Sequence, residues 1–455
     1  QDGSSSKFAR KLSKMPSERR DPGKFFDALL AVLIAACVGV RVTTAAASSK
    51  GGGESGSKDA DKDKTDRSGN EVVSLRRRYL LAFWLLKMAD WLQGPYFFEV
   101  FASKSVGGEP MTEAGIARLF LTGFGTSGLA GPAAGRLVDS CGRKAGTIAC
   151  AVFSALSAMS TRASALPLLF AGRVAGGLGS SLLGTAPEAW LVAEHNRGGF
   201  PSHGLSDTFG LAYVGDAIAA ILAGRLAGMA ADRHGPTGPF TMSAAFLAGS
   251  ALAVSATWEE NTAGEQAVES TGTVKEESSL ASTWRQMRAN AQILRIGAVQ
   301  AFFEGAMYIF VIQWPPALQA AMATNDVPFG KVFSCLMASC MFGSSLFAGL
   351  APVMPVERVL AGALALATGA IGSAAARTRS LTAVLGGFLA FEACVGIYFP
   401  AIGTLRARYI PNDQQSSMVG LIKLPLNVFV ASVMLGTKRL GLRGSLLSST
   451  TALLC

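Results

Sequence analysis

Residues 135–144 read Gly135-Arg-Leu-Val-Asp139-Ser-Cys-Gly142-Arg143-Lys144, and they close one long apolar stretch just before another opens. A tight connection between two helices needs glycine for its turn. Asp139 carries the charge to face a helix N-terminus or an arginine. Arg143 and Lys144 mark this end of both stretches with positive charge. The flanking chain explains why such a turn is there.

A membrane helix needs about 20 mostly apolar residues, because the hydrocarbon core is about 30 Å thick and each residue rises about 1.5 Å. Stretches of that kind stand at 79–101, 114–137, 145–161, 166–187, 207–228 and 238–257. Five more follow at 292–314, 330–352, 356–374, 381–403 and 416–436, after which 441–455 is short and weakly apolar. An earlier apolar run, Phe25–Val40, follows a segment rich in Ser, Lys and Arg. It reads either as a signal peptide, with the small residues Ala45–Ala47 at the cleavage point, or as a signal-anchor helix; the anchor is the favoured reading.

Composition agrees. Half of the 455 residues are hydrophobic and only 16% are Asp, Glu, Lys or Arg, against roughly 25% in soluble proteins. Such a chain lacks the polar groups to cover its own surface, so a soluble monomer is excluded and the lipid bilayer is its solvent. The net charge of +10 does not point to nucleic acid: residues 1–78 hold 16 Lys/Arg against 10 Asp/Glu, and no basic face is interleaved with aromatic residues. The seven cysteines form no CxxC pair and mostly sit in apolar runs, as reduced packing residues do. No Walker loop, nucleophile elbow or metal-binding cluster is present, so no enzyme activity, cofactor, metal or direct ATP coupling is expected.

The sequence therefore predicts an all-α membrane protein of two six-helix halves. Its segments are a basic polar stretch (1–24), an extra hydrophobic helix (25–41), a disordered charged linker (42–78), the first half (79–257), a central cytoplasmic loop (258–291) and the second half (292–455), whose last helix reads as weak or truncated. Basic residues tend to stay cytoplasmic. Arg76–Arg78, Arg143–Lys144 and Arg406/Arg408 share one side if the spans alternate, and the central loop joins them there. Lys438, Arg439, Arg443 and the basic segment before Phe25 disagree with that side, which leaves the direction of the early helix open.

The 135–144 string resembles the loop signature that the major facilitator superfamily carries between its second and third helices. Arg173-Val-Ala-Gly-Gly177 matches a related Arg-x-x-x-Gly pattern of its fourth helix. Longer strings narrow the resemblance: Asp90-Trp-Leu-Gln93-Gly-Pro-Tyr96, Gly184-Thr-Ala-Pro-Glu188-Ala-Trp, Ala301-Phe-Phe-Glu304-Gly, Phe391-Glu392-Ala-Cys and Ile422-Lys423-Leu-Pro425-Leu-Asn427. In order and spacing these are similar to the molybdate-anion transporter family over about residues 79–436. Departures are Lys423 where that family usually has Arg, Gln313-Trp-Pro-Pro316, and Lys87 at an apolar position. The resemblance implies a secondary transporter with a substrate site near the bilayer midplane. It also implies a gating loop (Gly135, Asp139, Gly142, Arg143, Lys144) that governs conformational exchange without touching substrate.

A charge at a membrane helix centre costs about 2.5–3.5 kcal/mol on insertion scales, so it marks a pathway or a paired site. Molybdate is a doubly charged tetrahedron of acceptor oxygens, and to leave water it needs cations and N–H or O–H donors. Lys423, beside the Pro425 break, and Arg173 are the candidate cations; Gln93, Tyr96 and Asn427 are candidate neutral donors. Each also fits a packing role. Asp90, Glu188, Glu304 and Glu392 would repel an anion, so they read either as ion-pair partners or as proton carriers. The expected function is high-affinity uptake of molybdate by alternating access, with protons as a candidate coupling partner. A carrier of sulfate or another anion, or a non-transporting receptor, is the alternative. The plasma membrane is the expected location, an internal membrane the alternative.

Overall fold

The computed structural model describes residues 22–49, 62–106, 108–200, 202–261, 285, 288–323, 326–409 and 415–454. It divides into two units, Gly52–Lys275 and Gln1–Gly51 with Glu276–Cys455. The first described helix, α1 (Pro22–Ser49), thus belongs with the second half of the chain.

The Gly52–Lys275 unit begins with α2 (Lys62–Gln93), a turn at Gly94–Tyr96 and the short α3 (Phe97–Ala102). Two-residue strands β1 (Ser105–Val106) and β2 (Glu109–Pro110) then pair antiparallel. The long helices α4 (Glu113–Cys141), α5 (Arg143–Ser160), α6 (Leu166–Leu183), α7 (Ala186–Arg197), α8 (Ser202–His234) and α9 (Gly238–Thr257) complete it. Local chemistry sets the starts. The Thr112 side chain accepts from Gly115 N to cap α4, and prolines open α6, α7 and α9, where a missing N–H costs nothing.

Helices α5 and α6 approach closely because small residues face each other. Gly176 and Gly179 of α6 lie against Ser157 and Ser154 of α5. On its other side, α6 brings Gly177 against the backbone of Gly123 and Ser127 in α4. Small residues let membrane helices pack backbone to backbone. The expected 166–187 span is broken, since α6 ends at Leu183 and α7 restarts at Ala186 with Glu188 in its first turn.

The other unit holds α10 (Ala291–Met322), α11 (Phe329–Leu350), α12 (Val356–Ala376), α13 (Leu381–Tyr409) and α14 (Gln415–Leu454). Asn290 caps α10 by accepting from the backbone of Gln292 and Ile293. Aromatic residues fill the space between α10 and α13: Phe303 stacks on Tyr398 at 4.0 Å, and Phe310 meets Phe388 edge-on at 5.0 Å. Helix α14 breaks at Gly441 (φ 64). The helical piece after that break packs on α12, where Gly372 faces Thr450.

Two expectations shift in extent. The early helix runs from Pro22 to Ser49 rather than 25–41, and α2 begins at Lys62, inside the stretch 42–78 expected to be a disordered linker. Alanine-rich 45–47 has high helix propensity, and 62–78 extends a helix that the following span already nucleates. Among the described residues, seven stretches are long and apolar enough to cross a membrane on length and composition alone; they include Pro22–Thr43, Leu166–Arg197 and all of Asp207–Thr257, which covers two helices.

Candidate functional site

The turn between α4 and α5 is closed by a residue from far along the chain. Gly142 sits at φ 109, a backbone region that L side chains rarely adopt. Beyond it, the Glu260 carboxylate accepts from Lys144 N and Ala145 N, both at 2.9 Å, and from Asn261 N at 3.1 Å. A negative group over the first turn of α5 satisfies orphan donors and meets the positive end of the helix dipole. The Lys144 ammonium donates to Ser255 O and Trp258 O, and Arg143 N donates to Asn261 O. Trp258 stacks on Trp190 at 3.8 Å, and Trp190 Nε1 donates to Glu259 O. Asn261 in turn donates to Glu194, which pairs with Arg197 at 3.0 Å. Gly135 and Asp139 fall at the end of α4, and their surroundings lie outside the described residues. Sequence reasoning assigned Trp258–Asn261 to a polar loop; the tandem Trp-Glu-Glu-Asn at the end of an apolar run was the available signal.

Within the same unit, a small cavity of ≈ 10 Å³, room for about one water, is lined by Leu86, Asp90, Gln93, Cys150, Ser154, Ser180, Leu183 and Leu247. Its polar groups are thus a carboxylate, an amide, a thiol and two hydroxyls, with no cation among these lining residues. Gln93 also donates to Ser243 Oγ at 3.0 Å, which ties α2 to α9. Tyr96 is buried in the turn that follows.

Close by, Lys87 pairs with Asp216 of α8 at 3.4 Å, both side chains being less than one-fifth exposed. Trp91 Nε1 donates to the other carboxylate oxygen at 2.6 Å, and the Lys87 ammonium lies 5.2 Å from the centre of the Trp91 ring. Glu188 is hydrogen-bonded by Tyr213. Lys87, at first a residue out of place in an apolar helix, is explained by Asp216.

Arg173 is 5% exposed. Its guanidinium donates through Nη2 to Ser157 Oγ and lies 4.6 Å and 5.5 Å from the ring centres of Phe97 and Phe101. Nε has no hydrogen-bond partner. Among the described residues no carboxylate forms an ion pair with it. A buried guanidinium held by aromatic faces and a hydroxyl keeps much of its positive potential uncompensated. Ser157 lies one turn along α5 from Ser154 of the cavity wall.

In the other unit, Tyr398 OH donates to Glu304 at 3.2 Å, which links α13 to α10. Glu392 is 6% exposed, in the middle of α13. Lys423 and Asn427 fall in α14, but their side chains lie outside the described residues. Within the Gly52–Lys275 unit the structure therefore brings Asp90 and Gln93 together on the cavity wall, sets Arg173 on Ser157 one turn from Ser154, and puts Glu188 beside Tyr213; in the other unit Glu304 lies on α10 and Glu392 on α13.

Residues 39–397 match a family model described as sugar transporters with twelve transmembrane helices. The molybdate-anion transporter of Takifugu rubripes is 31% identical over 379 residues, which is 77% of this chain and 76% of that protein. The molybdate-anion transporter of Xenopus tropicalis is 31% identical over 357 residues, 75% of this chain and 74% of that one. Among solved structures, a D-xylose-proton symporter superposes with a TM-score of 0.65 at 13% identity, covering 84% of this chain and 96% of the other. The nucleoside transporter NupG superposes with a TM-score of 0.58 at 12% identity, over 83% and 90%. Identities this low speak to the fold alone.

Proposed function

The chain belongs to the molybdate-anion transporter family of the major facilitator superfamily, and on that premise we propose that it takes up molybdate by alternating access as a secondary active transporter. It is a multi-pass integral membrane transporter and not an enzyme. The observation that carries the substrate is the 31% identity, over three-quarters of the chain, to relatives named for molybdate.

The chemistry of the anion selects the residues. Arg173, buried and without a carboxylate partner among the described residues, is the group whose desolvation an oxyanion would offset best. Lys423 is the second cation in this reading, with Asn427, Gln93 and Tyr96 as neutral donors. The loop of Gly135, Asp139, Gly142, Arg143 and Lys144 sets the balance between conformations rather than contacting substrate. Asp90, Glu188, Glu304 and Glu392 carry coupling or ion pairing, with protons as the coupling ion. The plasma membrane is the proposed location.

A second reading rests on the cavity lining. One carboxylate, an amide and two hydroxyls without a cation suit a neutral polar solute better than a dianion. Uptake of labelled molybdate in a carrier-deficient cell, with sulfate and a hexose as competitors, separates the readings. Saturable molybdate uptake that excess hexose leaves unchanged supports the proposal. Hexose uptake without molybdate uptake supports the second reading.

A further inference from the structure

Helix α1 is not a loose appendage. Along one edge it meets α11 at four points. Asp27 pairs with Lys331 at 2.9 Å, and Cys335 Sγ donates to the carbonyl of Phe26, whose ring is buried. Cys37 Sγ donates to Ala338 O at 3.4 Å, and Arg41 Nε donates to Ser345 Oγ at 3.2 Å. Residue numbers rise together on the two helices, 27 with 331, 37 with 338 and 41 with 345, so α1 runs parallel to α11. The opposite edge exposes Phe25, Val32 and Val42, as a helix facing lipid does. Pro22–Thr43 supplies 22 apolar-rich residues, or about 33 Å of helix, enough to cross the hydrocarbon core.

The same unit supplies a direction. Arg408 and Tyr409, at the end of α13, bind Glu357 in the first turn of α12 at 2.9 Å and 3.1 Å. Helix α11 ends at Leu350, six residues before α12 starts, so α11 runs toward the end that carries Arg406 and Arg408. Parallel packing sends the Ser49 end of α1 to that side. Flanking charge alone does not choose, since residues 1–24 carry seven Lys/Arg and residues 50–78 carry eight. Docking does.

We infer that α1 is a retained membrane span, clamped parallel on α11 by the Asp27–Lys331 pair, with its Pro22 end on the extracytoplasmic side. This rests on the side of Arg406 and Arg408 being cytoplasmic, and it is independent of what the protein carries. A cleaved leader would leave behind the contacts that Phe26 and Cys37 make.

The test uses the full chain in intact cells. In separate variants, Lys24→Cys and Lys50→Cys are treated with a membrane-impermeant maleimide, and labelled peptides are mapped by mass spectrometry to set aside the native cysteines. Label at residue 24 in intact cells, and at residue 50 only after permeabilisation, is expected. The reverse pattern, or a mature chain that begins near Ala45–Ala47, overturns the inference. For the clamp, a protease site inserted between residues 50 and 61 allows the α1 fragment to be cut and its retention measured after solubilisation. Asp27→Lys should lower retention several-fold, and the exchange Asp27→Lys with Lys331→Asp should restore it. No loss in the single variant, or equal loss in the exchange, overturns the clamp.

Discussion

The Glu260 carboxylate fills the space that a β-carbon on Gly142 would occupy, with its two oxygens 2.5 Å and 2.7 Å from that position. The two residues are 118 apart, yet each needs the other where it is. Gly142 turns the backbone at φ 109 so that Lys144 and Ala145 present their N–H groups, and Glu260 accepts both.

Gly142→Ala should therefore destabilise more than Glu260→Gln. The first forces a side chain into a strained conformation, worth about 1–3 kcal/mol, and displaces the cap. The second keeps the shape and one acceptor, but it loses charge at a helix N-terminus, worth about 0.3–1 kcal/mol, and sets an amide NH2 that cannot accept against one of the two N–H groups. Thermal unfolding of the solubilised protein ranks them; a Gly142→Ala variant as stable as the parent would refute the arrangement.

Two glycines give a controlled comparison. A β-carbon on Gly177 would lie 2.6 Å from Gly123 O and 2.9 Å from Ser127 N, whereas one on Gly125 meets nothing within 4 Å. Gly177→Ala is expected to cost about 1–3 kcal/mol by overpacking. Gly125→Ala should be neutral or raise stability by up to about 1 kcal/mol through helix propensity. The two melting curves, measured side by side, decide it.

Lys87 and Asp216 should behave as one unit. Removing one partner leaves a poorly solvated charge, at a cost of up to about 3–5 kcal/mol for a buried pair. Lys87→Met and Asp216→Asn should each destabilise, and the double variant should recover most of the loss. A double-mutant cycle with no coupling energy would show that the pair contributes nothing.

For transport, Arg173→Gln is expected to abolish molybdate uptake at matched surface expression, and Arg173→Lys to restore little. A lysine cannot reproduce a planar guanidinium beneath Phe97 and Phe101 that also reaches Ser157. Lys423→Gln should also abolish uptake, while Lys423→Arg retains part. Unchanged uptake in either Gln variant removes that residue from the substrate contacts.

Coupling has an electrical argument. Moving one charge through 100 mV is worth about 2.3 kcal/mol, so a dianion entering a negative cell opposes about twice that. Protons carried inward would compensate. Uptake should rise as the external medium is acidified from neutral, fall with a protonophore and weaken in Glu392→Gln. Uptake that ignores both pH and protonophore would return the carboxylates to structural roles.

Much of this was readable along the chain. The runs of apolar residues, the 135–144 turn and the polar stretch after Thr257 are set by local composition and spacing, because lipid demands about 20 apolar residues per crossing whatever the neighbours are. Asp90, Arg173, Glu304 and Glu392 were recognisable as charges in the wrong solvent. Their partners were not recognisable, because pairing depends on which helices abut and at what height. Lys87 found Asp216, Arg173 found Ser157 and two phenylalanines, and Glu260 found Lys144 at the start of α5, 116 residues earlier in the chain. The early helix shows the division most clearly. Its length and apolarity follow from residues 22–43 alone, whereas its attachment to α11, and its running parallel to that helix, follow from contacts some 300 residues away, which no local reading of the chain could supply.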